Sequence, residues 1–336
     1  MQAVYLVHGT FVGDDLLGLA RIVEGASPSA AAWLRRVGKA IADGLIGDRG
    51  NYPTAMVRRF GETLNAQRRE AIAVRRFVWS GENHHLARLD GALRLIEHLA
   101  QQRFPAGSRV MLWGHSHSGN VFALASQLLY GGPQVTAALL DACDVLLSRQ
   151  RCLTGEHGNG QPVSRAQSLR QLLASHPLAE VKLDFVTFGT PIRYAWSEQM
   201  PGRLLHVVFH RPRPDWPEYR AYFPPTWEEL DRAEGGDYVH QIGIAGSNTP
   251  LNPLAWRAML ADRRLGALLQ PDIRPWDIYR RLRYGMRVAQ GGTSLLVDYG
   301  LMPGNMFQHI AGHAVYTSEA WLPFHASLVT RELYDA

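Results

Sequence analysis

The chain of 336 residues holds two cysteines, Cys143 and Cys152. Two are too few to build a disulfide-stapled fold, and free thiols in a reducing compartment are the simpler expectation. Whether they could pair is not decided by spacing. No run approaches the roughly 20 apolar residues of a membrane-spanning helix. No basic segment followed by an apolar one opens the chain, so no signal peptide is expected. A cytoplasmic protein is the expectation, with export by a signal-less route left open. Internal repeats and low-complexity tracts are absent. So is any basic motif interleaved with aromatics, which leaves nucleic acid out as a partner.

What is present describes an ordinary globular protein. Hydrophobic residues make up 46% and charged residues 19%, enough apolar mass for one large core. Lys and Arg exceed Asp and Glu by 35 to 30, a net charge of +5. Much of the excess is paired arginine, such as Arg58-Arg59 and Arg75-Arg76. Such pairs are usually a solvated face; attraction to an anionic lipid surface or an acidic partner is the other reading.

Short apolar runs alternate with helical patterns, which predicts an α/β fold with a mostly parallel sheet of about six strands and helices on both faces. Strands are expected at 3–7, 76–80, 110–113, 181–188, 204–209 and 295–297. The run 135–140 reads as a strand or a helix start. Helices are expected from Thr54 to about Leu64, from Leu86 to Ala100, after Asn120, around 165–174, and at the end of the chain to about Tyr334. One domain spans residues 1–336. Residues 12–75 read as a helical insertion, a candidate lid or wall, and 211–293 as a second insertion, a candidate cap.

Three motifs carry chemistry. The strand at 110–113 ends in Gly114-His115-Ser116-His117-Ser118-Gly119, with a helix directly after. A turn this sharp strains its apex residue and needs small neighbours. The first strand ends in His8-Gly9-Thr10, where glycine lets a backbone N–H approach a developing negative charge. The fourth run ends in Val-Thr-Phe-Gly-Thr-Pro. Together these resemble the α/β-hydrolase superfamily in its serine esterase and lipase-like form: a nucleophile elbow G-x-S-x-G, an oxyanion motif H-G-x, and the V-T-F-G-S-P of fungal triacylglycerol lipases. Ser118 stands where that family has glycine.

The resemblance implies a Ser-His-Asp triad in the chain order Ser, Asp, His, with Ser116 as nucleophile. His313 follows the last strand and a glycine, and is the expected base; His309 and His325 are its competitors. Asp237, in Gly-Asp-Tyr-Val, is preferred as the acid, with Asp215 as the alternative. The oxyanion hole would be the N–H groups of Thr10 and His117. Neither the adjacent His84 and His85 nor the pair His115 and His117 reads as a metal site, and no cofactor is implied. The leading expectation is hydrolysis of a small-molecule or lipid carboxylic ester through an acyl-enzyme. Alternatives are a phospholipase acting at membranes, as an exported effector, and a non-catalytic hydrolase-like binding protein in which Ser118 marks lost activity. The membrane surface stays open as a partner, and the oligomeric state is not legible.

Overall fold

The structure, a computed structural model, describes residues 1–10, 52–66, 68–147, 165–191, 193–217, 223, 225–246, 248, 256–270, 281, 287–288 and 291–335. Most of the first insertion, the segment holding Cys152, and most of the stretch from 249 to 290 lie outside the described residues.

Six parallel strands form one sheet in the order β2-β1-β3-β4-β5-β6. They are β1 Ala3–Val7, β2 Ala73–Phe77, β3 Arg109–His115, β4 Lys182–Phe188, β5 Leu204–Phe209 and β6 Thr293–Val297. The described helices are α1 Thr54–Asn65, α2 His85–Gln101, α3 Ser118–Tyr130, α4 Gly132–Leu147, α5 Arg165–Ala174, α6 Trp227–Arg232, α7 Tyr238–Ala245, α8 Trp256–Leu269 and α9 Leu322–Tyr334. The run 135–140 is therefore helical, within α4.

Alternation along the buried strands sends side chains to two faces. Tyr5, Val7, Val110, Leu112, Leu183 and Phe185 share one core with residues of α2, α3, α5 and α8. Val4, Leu6, Met111, Trp113, Val186 and Phe188 share the other with α1 and α9. The result is the expected three-layer α/β arrangement. Helix α1, within the 12–75 stretch expected to be an insertion, packs on the sheet through Met56 and Phe60. Helix α8, within the 211–293 stretch, contributes Ala261 and Leu265 to the opposite core.

One strand departs from expectation. β2 ends at Phe77, three residues before the predicted end at Ser80. The reason lies with Trp79. Its backbone N–H donates to Nε2 of His8 at 3.2 Å and its indole N–H to the His8 carbonyl at 2.9 Å. The backbone donor thereby leaves the ladder for the loop after β1, and the indole anchors the residue there.

The strand order reverses between β1 and β3: β1 leads outward to β2, and β3 leads the other way to β4. In open parallel sheets this switch point leaves a crevice at the carboxyl ends of the two strands. The loop His8-Gly9-Thr10 and the turn around Ser116 both leave the sheet there, because Val7 pairs with Gly114.

Candidate active site

Ser116 has φ of 56°, a left-handed conformation that is strained for a side-chain-bearing residue. Three bonds hold it there. Its N–H donates to the Phe188 carbonyl at 2.8 Å. Its own carbonyl accepts from the Thr190 hydroxyl at 2.6 Å and from the Gly119 N–H at 3.2 Å. Small neighbours make the room. A side chain on Gly114 would strike Ser118 and Phe122, and one on Gly119 would strike Thr190. Ser118 fits where glycine was expected because its hydroxyl folds back to the His115 carbonyl at 2.7 Å, over the bare Gly114.

Gly9 presses on the same apex. A Cβ there would lie 2.6 Å from the Ser116 Cβ and 3.3 Å from its Oγ. His8 then fixes the peptide that follows. Its Nε2 accepts from the Trp79 backbone N–H, so its proton sits on Nδ1 and donates to the Gly9 carbonyl at 2.8 Å. A trans peptide points its C=O and N–H in opposite directions. Anchoring the Gly9 carbonyl therefore aims the Thr10 N–H away from His8. Among the described residues neither the Thr10 N–H nor the His117 N–H has an acceptor. Two backbone donors left open beside a strained serine suit a developing oxyanion.

His313 begins a short 3₁₀ turn, His313–Thr317, after Gly312 at φ 91°. Its Nδ1 is 2.7 Å from Oδ2 of Asp237. Asp237 itself lies just past Gly236 at φ 92° and caps α7 by accepting the His240 N–H at 2.8 Å. The two glycines interlock: a Cβ on Gly312 would stand 2.6 Å from the Gly236 carbonyl. That close approach of bare backbones brings the acid and the histidine together. His115, next to Ser116, reaches the same group. Its Nε2 donates to the His313 carbonyl at 3.2 Å, and the two rings lie 4.5 Å apart.

Asp237 is fully buried. Burial works against its charge, but the His313 ring and the His240 N–H prevail and hold its carboxyl down to about 2. Tyr316 donates its hydroxyl to Oδ2 of Asp237 at 3.1 Å and accepts the Phe209 N–H at 2.7 Å. Burial first, then the Asp237 charge, raise the Tyr316 phenol well above its ordinary value, so it stays a donor. The buried Arg287 donates to the Asp237 carbonyl at 2.9 Å. Among the described residues neither the buried Nε2 of His313 nor the Ser116 hydroxyl has a hydrogen-bond partner.

The competitors are occupied elsewhere. His309 staples its own turn: Nδ1 accepts the Gly312 N–H at 2.9 Å and Nε2 donates to the Asp231 carbonyl at 3.0 Å. His325 is buried beneath the sheet face, 2.7 Å from the Tyr299 hydroxyl. Asp215 is exposed and is not brought to His313. His84 and His85 take part in separate bonds at the start of α2, and no group of three metal-ligating side chains occurs among the described residues. Cys143 is a free thiol on α4; burial pushes it up to about 12. No described helix is long and apolar enough to cross a membrane.

His8, Trp79, Tyr316 and His240 are the supporting residues that sequence reading did not assign. Only His8 carried a signal, as part of H-G-T. Compared with protein-family models, curated proteins and solved structures, the chain matches none.

Proposed function

We propose that the protein is a serine hydrolase of carboxylic esters with an α/β-hydrolase-like site. The observation that carries this reading is the Asp237–His313 pair at 2.7 Å, whose outer nitrogen has no partner among the described residues, in a turn whose His313 carbonyl is bonded by His115, the residue before Ser116. A serine hydroxyl is a weak nucleophile until a base takes its proton, and that base needs a carboxylate to orient it and stabilise its charged form.

In this mechanism Oγ of Ser116 attacks the ester carbonyl carbon as its proton passes to Nε2 of His313. The carbonyl oxygen becomes an oxyanion at the N–H groups of Thr10 and His117. Collapse breaks the bond to the leaving alkoxy group, which takes the proton from His313 and departs as an alcohol. Water then repeats the cycle on the acyl-serine and releases the carboxylic acid. Asp237 stays ionised throughout, consistent with its depressed pKa.

A fluorophosphonate probe tests the reading, because it labels serines activated in this way. Wild type is expected to label at Ser116, Ser116→Ala to lose the label, and His313→Ala to label at least a hundredfold more slowly. Wild type that stays unlabelled would return the protein to the class of non-catalytic binding proteins.

A further inference from the structure

The positive charge of the chain is not spread evenly. Residues 251–290 hold eight arginines and three aspartates, with no lysine and no glutamate. Their excess equals the net charge of the whole chain, +5. The remainder is therefore balanced, and the basic character of the protein belongs to this stretch. Helix α8, Trp256–Leu269, lies within it.

Helix α8 is apolar on two sides. Ala261 and Leu265 are buried in the core, and Ala258 and Leu269 pack against it. On the opposite side Trp256, Leu260 and Ala267 face solvent. Trp256 is 58% exposed and Leu260 38%. Offsets of four and eleven residues from Trp256 place the three within about 40° of one another at 3.6 residues per turn. A surface helix ordinarily keeps its apolar stripe for the core. A second stripe on the outside, rimmed by polar groups, marks an interaction surface.

The rim of this stripe is cationic. Arg263 and Arg264 are exposed, one on each border, and neither has a partner among the described residues. Arg257 lies over the Trp256 ring, 5.0 Å from its centre, so cation and indole are presented together. The single acid of the helix is turned inward. Asp262 accepts the Leu86 N–H at 2.7 Å and lies 3.4 Å from Nδ1 of His84. Gly266 fits closely beside it, where a Cβ would stand 3.3 Å from Nε2 of His85. These contacts pin α8 to the first turn of α2, so the outer face is held by a fixed element.

We propose that the outer face of α8 docks the protein on an anionic lipid surface. The indole and the leucine enter the boundary between headgroups and acyl chains, and the arginines on both borders meet lipid phosphates. Each arginine held near such a surface strengthens binding about fivefold. A second copy of the chain fits less well, because a two-fold contact through this face would bring Arg263 and Arg264 against their own counterparts. An acidic protein would match the charge and leave the apolar stripe between the arginines unused. The inference goes beyond the hydrolase reading and does not depend on Ser116 being a nucleophile.

Flotation of the full chain with vesicles tests it, in a Ser116→Ala background so that turnover cannot alter the lipid. One vesicle is phosphatidylcholine alone; the other is phosphatidylcholine and phosphatidylglycerol in equal parts. Binding to the mixed vesicle is expected to be at least tenfold tighter and to weaken as salt is added. Replacing Arg263→Gln and Arg264→Gln together should cost at least tenfold, while Arg263→Lys with Arg264→Lys should keep most of the binding. The positions are exposed, so melting temperatures should stay unchanged. A second readout leaves the charge alone. Phosphatidylcholine brominated on its acyl chains quenches an indole that reaches the hydrocarbon, and Trp256→Phe should still bind the mixed vesicle yet lose most of the quenching. Equal binding of the two vesicles, full binding by the glutamine pair, or quenching unchanged in Trp256→Phe would each overturn the proposal. A lipid-free dimer that Leu260→Arg breaks would overturn it in favour of a second copy. Retention on immobilised polyglutamate as strong as on the mixed vesicle would overturn it in favour of an acidic protein.

Discussion

At the scale of single residues, the two aspartates weighed from the sequence differ in everything but type. Asp237 is buried, bonded to His313, and steadied by Tyr316 and the His240 N–H. Asp215 is exposed on a turn. Asp237→Asn would keep the shape and lose the charge, leaving His313 free to adopt the wrong tautomer. Turnover is expected to fall by about 10³–10⁴-fold, with Asp215→Asn within twofold of wild type. Equal losses in both variants, measured as kcat on one chromogenic ester, would remove Asp237 from the triad. The sequence made the left-handed turn at Ser116 and the meeting of His313 with Asp237 legible because glycine spacing and chain order leave traces. It did not reveal Tyr316 or Trp79. A tyrosine that bridges a strand-end N–H and a buried carboxylate looks like any other core tyrosine until the fold brings Phe209, Asp237 and Tyr316 together.

At the scale of elements, the site is a set of strand ends. Gly189, directly after β4, shows how tightly they are fitted. Its φ is 57°, and a Cβ there would lie 2.8 Å from Oδ2 of Asp237 and strike the Tyr316 ring. Its neighbours Phe188 and Thr190 hold the backbone of Ser116. Gly189→Ala is therefore expected to combine a strained left-handed residue, about 1–3 kcal/mol, with displacement of Asp237, the proposed triad acid. Activity should fall at least a hundredfold, and the melting temperature should drop as well. A variant that loses stability but keeps full activity would show that the loop yields without moving Asp237. The Val-Thr-Phe-Gly-Thr-Pro run had pointed to this segment without saying why glycine is needed. Element existence was otherwise well read, since buried strands announce themselves by apolar runs. The end of β2 was misjudged because a long-range partner, His8, takes the donors of Trp79.

At the scale of the whole molecule, several histidines are buried as neutral rings. Burial holds His206 down to about 4 and His325 down to about 3; it likewise holds His240 down to about 3. Between their ordinary value of 6.5 and those lowered values, the unfolded chain binds protons that the folded one refuses. Stability therefore rises with pH across that window and levels off above it, by about 1.4 kcal/mol per pH unit for each such proton. Asp237 acts lower down: its contribution is present above 3.8 and lost as pH falls through about 2. Chemical denaturation at several pH values should show this slope. His325→Phe should lessen it by about one proton between pH 4 and 6, whatever its effect at pH 7, and an unchanged slope would mean that His325 titrates normally. The three-layer plan was legible as a whole because alternation and helical spacing are local.

The wide separation of the reacting groups along the chain has a consequence for how the protein is made. His115 and His313 are 198 positions apart, and ribosomes add about 5–20 residues per second. Ser116, the proposed nucleophile, therefore emerges roughly 10–40 s before His313, its proposed base. A nascent chain carries the serine in an inert form. On the proposed hydrolase reading, no hydrolysis can begin until β5 has offered its end to Asp237 and the final segment has folded back over it, so synthesis itself acts as a safety catch.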